Sequence, residues 1–145
     1  MKEFVETRII GAVRKLLVER GNEFLNEMEF YVPVIEFGSF EGGNTVKPVI
    51  ALVGSERTEK ERIILLDAYV LTITFTFPDT PEAEMYCYAY AGVVSRAIKE
   101  NPTLSGIVER AVITGKKYVP PKITGCGGSW EVVLTLRLTI EGNKE

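Results

Sequence analysis

Two stretches of this chain alternate strictly in polarity. From Tyr69 to Phe77 the residues Tyr69, Leu71, Ile73, Phe75 and Phe77 fall on one face and Thr72, Thr74 and Thr76 on the other. From Trp130 to Ile140 the even-numbered set Trp130, Val132, Leu134, Leu136, Leu138 and Ile140 opposes Glu131, Val133, Thr135, Arg137 and Thr139. Successive strand side chains point to opposite faces, so a period of two describes a strand with one buried face and one wetted face. Half-buried strands of this kind belong to antiparallel sheets covered on one side only.

Two helical segments are available as the cover. Phe4, Val5, Ile9, Ile10, Val13, Leu16 and Leu17 recur at spacings of three and four, which predicts an amphipathic helix over about residues 2 to 20, ended by Gly21 and Asn22. Asp79-Thr80-Pro81-Glu82 reads as a helix start. Asp79 or Thr80 would supply the capping oxygen, a proline sits in the first turn, and Glu82 and Glu84 lie near the positive end of the dipole. That second helix runs to Glu100, where Pro102 disfavours helical geometry at Asn101.

Between these landmarks FYVPVIEF (30–37) reads as a strand kept short, irregular or at an edge by Pro33. GSFEGGNTVKP reads as loop, Val49 to Val53 as a compact strand, and GSERTEKER as the polar turn that sends the chain back. TLSGIVER suggests a short helical turn or a strand approach leading to a strand AVIT, and GKKYVPPKITGCGGS a long irregular connection. The order is α-β-β-β-α-β-β, an α+β domain with two principal helices on one face of a mainly antiparallel sheet. At 145 residues it needs no staple, since a chain of this size buries roughly 70% of its unfolded surface. A single soluble domain over residues 1–145 is the expectation.

The chemistry-bearing residues are few. There is no histidine, which removes the commonest general base and metal ligand, and there are only two aspartates, Asp67 and Asp79. Asp67 shares strand parity with Tyr69 and Leu71 and so points toward the core side, where a carboxylate needs a partner or a raised pKa. Cys87 and Cys126 lie in unlike contexts without a CxxC pattern and read as free thiols in a reducing compartment. The segments 38–43 and 125–129 are rich in glycine but lack GKS, GKT or the setting of GxGxxG, so they read as loops that order on a partner. No signal peptide or membrane span is legible. A net charge of −3 opposes general nucleic-acid binding, and Lys116, Lys117 and Lys122 around Tyr118 read as a solubility device. The expectation is therefore no catalytic residue, no cofactor and no metal. On the second helix Tyr86, Tyr88 and Tyr90 cannot all face inward, because helical residues two apart diverge widely, so at least one is exposed. Ala89, Ala91 and Gly92 are expected to bring that helix close to the sheet. The candidate interface residues are Tyr86, Tyr88, Tyr90, Phe40, Lys116, Lys117 and Tyr118.

The amphipathic first helix, the strand YVLTITFTF, the helix and following segment AEMYCYAYAGVVSRAIKENPTLSGIVERAVIT, and the final strand SWEVVLTLRLTIEG together resemble the tail-terminator and minor tail proteins of long-tailed bacteriophages and prophages. The run from Ala89 to Thr114 is the most similar, with Asn101, Leu104, Gly106 and Val108 matching the segment that follows the family's helix. The resemblance implies a structural subunit rather than an enzyme. It implies a homo-oligomeric ring, usually a hexamer, that caps the tail-tube protein and presents a surface to the head-tail connector protein. Such a subunit works in the virion tail or neck after assembly in the bacterial cytoplasm, with no membrane and no specific nucleic acid as partner. The neighbouring reading is a head-completion or connector subunit. The reading from a different class is a small ligand-binding domain or enzyme with Asp67 and the glycine loops at its site.

Overall fold

The two alternating stretches pair with each other at the centre of one sheet. In the computed structural model, which describes residues 4–37, 45–60, 64–122 and 128–141, β4 (Ile64–Pro78) lies antiparallel to β6 (Ser129–Glu141). Leu71 stands opposite Leu136, Ile73 opposite Leu134 and Phe75 opposite Val132, and all six are fully buried. Two shorter strands flank this pair: β3 (Val49–Lys60) beside β4 and β5 (Arg110–Val119) beside β6, in the order β3-β4-β6-β5 with every neighbour antiparallel. The opposite face carries Thr72 opposite Thr135 and Thr74 opposite Val133, all half-buried. The chain is α+β, and its last strand is internal to the sheet, as the alternation demands.

The first helix is longer than its sequence suggests. α1 (Val5–Leu16) continues through a π-helical turn (Leu17–Gly21) into α2 (Asn22–Asn26). Its buried residues Ile9, Val13, Leu17, Gly21 and Leu25 recur every four positions. In a regular α-helix that spacing overshoots a full turn by about 40° at each step, so the stripe would wind away from the core. The wider π turn takes up the excess and returns the stripe to it. Gly21 is not a stop signal, because its backbone is right-handed helical (φ −59°, ψ −46°) and a Cβ there would lie 3.4 Å from Ile35. Nor does Asn22 end the helix. Its side-chain amide donates to the Ile35 carbonyl (3.0 Å) and accepts from the Ile35 N–H (2.7 Å), as a neighbouring strand would. Ile35 belongs to β1 (Val34–Ile35), which pairs in parallel with β2 (Thr45–Val46), so the strand expected around Pro33 is indeed short.

α3 (Ala83–Glu100) packs on the covered face through Ala83, Cys87, Tyr90, Ala91, Val94, Ala97 and Ile98. Two expectations fail here. The N-cap is Glu82 with no side-chain capping bond; the Ala83 N–H instead reaches the Thr80 carbonyl (3.1 Å), and the Asp79 N–H is tied to the Gly128 carbonyl (3.1 Å), an extra turn away from the helix. Of the small residues, Ala91 does face the sheet, but Gly92 is exposed with nothing within 4 Å of where its Cβ would stand, because one helical step rotates it by about 100°. After Asn101 the chain turns through Leu104, Ser105 and Gly106 with φ of 49°, 60° and 88°. The left-handed conformation costs roughly 1–2 kcal/mol for each L-residue. Burial of the Leu104 side chain and bonds to the Thr103 carbonyl from the N–H groups of Gly106 (3.0 Å) and Val108 (3.0 Å) hold it in place.

Both outer strands run further than their apolar patterns. GSERTEKER is not a turn from its first residue: β3 carries Gly54 to Lys60 along β4. Likewise β5 continues past AVIT through Lys116, Lys117 and Tyr118 to Val119 along β6, so these residues lie on a strand and not in a loop. Backbone ladder bonds to a central strand extend a strand where its own side chains have no face to bury. Each outer strand contains a register shift, between Leu52 and Gly54 in β3 and between Ile113 and Gly115 in β5.

The centre of the β4/β6 pair should be the least tolerant place in the molecule. Leu136→Ala is expected to cost about 2–5 kcal/mol and Leu136→Asp to abolish the folded state, whereas the exposed neighbour Arg137→Ala should stay within about 0.5 kcal/mol of the parent. Chemical denaturation of the three variants followed by circular dichroism checks the order.

Candidate interaction surface

A β-bulge inserts one residue, and every side chain beyond it changes face. Before its bulge β5 sets Ala111 and Ile113 opposite Leu138 and Leu136, on the covered face. Without the bulge, residues 116 and 118 would fall on the open face with Val112. With it, Lys116 stands opposite Leu134 and Tyr118 opposite Val132, so both turn to the helix side. Tyr118 there meets Tyr88 of α3, ring centroids 5.3 Å apart at 67°, an edge-to-face geometry of the favoured kind.

Tyr88 is 53% exposed and Tyr118 39%, and Met85, three positions before Tyr88 on the helix, is 39% exposed. The Tyr88 hydroxyl donates to the Glu84 carboxylate (3.1 Å), a bond that raises the pKa of the phenol. Lys116 shares the covered-side parity of Tyr118, while Lys117 stands opposite Val133 on the open face. The other two tyrosines of α3 point elsewhere. Tyr90 is fully buried on Phe75 and Phe77 (5.1 and 5.2 Å), its hydroxyl donating to the Pro33 carbonyl, and burial pushes its phenol pKa upward. Tyr86 is half-buried against Phe77 at 5.6 Å. Tyr88 is thus the exposed member that the spacing requires, and Phe40 lies outside the described residues, as does Cys126.

The bulge in β3 acts in the same way at the other end of the sheet. It turns Ser55 and Arg57 to the helix side, so that Arg57 stands opposite Asp67. The guanidinium makes a two-pronged bond to the carboxylate, at 2.6 and 2.9 Å. Asp67 is therefore a partly buried, paired carboxylate on the strand, and the hydrogen bond from Arg57 holds its pKa below the usual range. A groove of about 390 Å³ lined by Val5, Arg8, Tyr69 and Ile107 adjoins the pair. Cys87 lies wholly inside the core, and burial pushes its thiol to about 11. Among the described residues no cluster of His, Cys, Asp and Glu could hold a metal ion, and no helix is long and apolar enough to cross a membrane.

No protein-family model matches the chain, and no curated protein matches it in sequence.

Two titrating groups yield measurable expectations. Because the folded pKa of Asp67 is depressed, its pairing stabilises the fold at pH values above the unfolded pKa of about 3.9, and the contribution is lost as pH falls through the lower folded value. Asp67→Asn should therefore melt below the parent at neutral pH, and the gap should close as pH drops below about 4. In a Cys126→Ser background, which leaves one thiol, alkylation of Cys87 by iodoacetamide near neutral pH should proceed only at the rate of unfolding. Rapid labelling of the native protein would place the thiol at the surface.

Proposed function

We propose that the protein is a structural subunit of a bacteriophage tail or neck, the terminator that closes the tail tube as a homo-oligomeric ring, most simply a hexamer, and offers a surface to the head connector. The observation that carries this reading is the Tyr88–Tyr118 pair. It is an edge-to-face aromatic contact on the outside of the molecule, built by a bulge that turns Tyr118 out of the open face, with Lys116 and Glu84 beside it. Aromatic anchors framed by polar groups are the composition of interface cores. The similarity of Ala89 to Thr114 to tail-terminator and minor tail proteins supplies the setting, in which the subunit assembles in the bacterial cytoplasm and serves in the virion.

The enzyme reading rests on Asp67, and its partner argues against it. A general base works best with a pKa near the operating pH, whereas Asp67 is held ionised by Arg57 and occupied by two hydrogen bonds. It has the environment of a structural ion pair.

A ring needs contacts in which one side of a subunit meets a different side of the next, and a rotation that closes. Mixed with pre-formed tail tubes and imaged by negative stain, the protein should appear at tube ends as a ring. Tyr88→Ala combined with Tyr118→Ala should leave the subunit folded with only a modest fall in melting midpoint, since the pair lies at the surface, yet weaken ring formation by on the order of tenfold or more. Binding along tube walls, absence of binding, or rings unaffected by the double substitution would overturn the proposal.

A further inference from the structure

The cleft between α3 and the outer edge of β5 continues beyond the Tyr88–Tyr118 pair. On the helix, Tyr88, Gly92, Ser95 and Lys99 follow one another at spacings of four, three and four, which sets them in one line. On the strand, Tyr118 is succeeded by Lys116, Ile113 and Arg110. The cleft opens there into a groove of about 420 Å³, walled by Ser95 and Lys99 on α3, Pro102 just past it, and Arg110, Ile113 and Lys116 on β5. Among the described residues no carboxylate lines it. Lys99, Arg110 and Lys116 are exposed, and among the described residues none of the three has an ion-pair partner. Gly92 lowers the helical wall between Tyr88 and this groove. Glycine inside a helix is destabilising relative to alanine, and with nothing within 4 Å of its Cβ position no packing contact inside the subunit requires it. The helix backbone is open there to an approach from outside.

The other side of α3 carries a surface of the opposite character. Glu27 pairs with Arg96, and the Pro33 carbonyl accepts from the Tyr90 hydroxyl, which ties the intervening segment to the helix. Lys99 follows Tyr90 by nine residues, about two and a half turns, and so stands on the opposite side of α3. Between the two ties Glu29, Phe30 and Tyr31 are exposed, Tyr31 by 64%. Residues 27–31 contain two carboxylates, two aromatic rings and no cation. Arg96 is already committed to Glu27 and Glu100, and Glu29 has no ion-pair partner among the described residues.

We propose that residues 27–31 of one copy dock in the α3/β5 groove of the next. Tyr31 rests on Pro102 and Ile113, and Glu29 lies among Lys99, Arg110 and Lys116, so that unpaired charges of opposite sign meet around an aromatic anchor. Groove and segment occupy opposite sides of α3, so the contact is head-to-tail, the kind from which rings are closed. The proposal rests on the reading of the chain as a ring subunit, and it supplies the second surface that the Tyr88–Tyr118 pair needs as a neighbour.

The test uses two variants of the full chain, each damaging one surface: Lys99→Glu with Arg110→Glu in the groove, and Glu29→Lys with Tyr31→Ala in the segment. All four side chains are exposed, so both variants should stay folded by circular dichroism with only a modest fall in melting midpoint. Sedimentation velocity over a concentration series should show self-association of the parent, weakened about tenfold or more in either variant alone. An equimolar mixture of the two variants joins one intact segment to one intact groove, and should give a heterodimer that grows no further. A parent that is monomeric at its highest soluble concentration, association indifferent to either variant, a mixture that remains monomeric, or saturable binding of an oligothymidylate by a chain that stays monomeric would each overturn the proposal. Tail tubes separate this result from the larger reading. Normal rings at tube ends from both variants would overturn this contact and leave the terminator standing, whereas heterodimers from the mixture without rings from the parent would overturn the terminator alone.

Discussion

The pairing of β4 with β6 is the constraint from which the rest follows. Both strands bury the same face completely at their centres, and a one-residue slip of either would turn its own apolar set, Leu71 and Ile73 or Leu134 and Leu136, to the opposite face of the sheet. That fixes which face needs a cover. The cover then fixes the helices: α3 lays Cys87, Tyr90, Ala91 and Val94 on the sheet, and the first helix fills the remaining side through Ile9, Val13 and Leu17. Tyr90 joins the layers, reaching across Phe75 and Phe77 to the backbone of Pro33.

The outer strands are where the surfaces are made. Each is regular against the core and then shifts by one residue, and in both cases the shift brings a polar or aromatic side chain to the helix side: Arg57 opposite Asp67 in β3, Tyr118 beside Tyr88 in β5. The two bulges use one device at two places, re-aiming the end of a strand whose beginning is committed to the core.

This division also explains what was legible in the sequence. The alternations of β4 and β6 and the break at Asn101-Pro102 are written in residue type, because burial on one face and the fixed φ of proline leave a periodic or local mark. The polar half of β3 has no such mark, since its ladder bonds to β4 are made by backbone and any residue can make them. Gly21-Asn22 reads as a stop by composition and is overridden by two tertiary demands: close approach to Ile35, and the side-chain amide that pairs with it. That one of three tyrosines must be exposed follows from spacing; that it is Tyr88 requires knowing which side of α3 meets the sheet. The groove between α1 and the turn after α3 left no mark, because the residues of α1 that line it are about ninety or more positions from Ser105 and neither Leu104 nor Ser105 announces a left-handed backbone.

The bulges also bear on self-association. A flat outer strand exposes a row of unpaired amides and carbonyls on which any other extended chain can polymerise, and a chain with 46% hydrophobic residues would be exposed to that hazard from both sides of its sheet. Here each rim is kinked, and charged residues follow the kink: Glu56 and Arg57 on one side, Lys116 and Lys117 on the other. Fibrillar growth from either rim is thereby discouraged, and recognition is left to side chains, which discriminate among partners in a way that a bare backbone ladder does not.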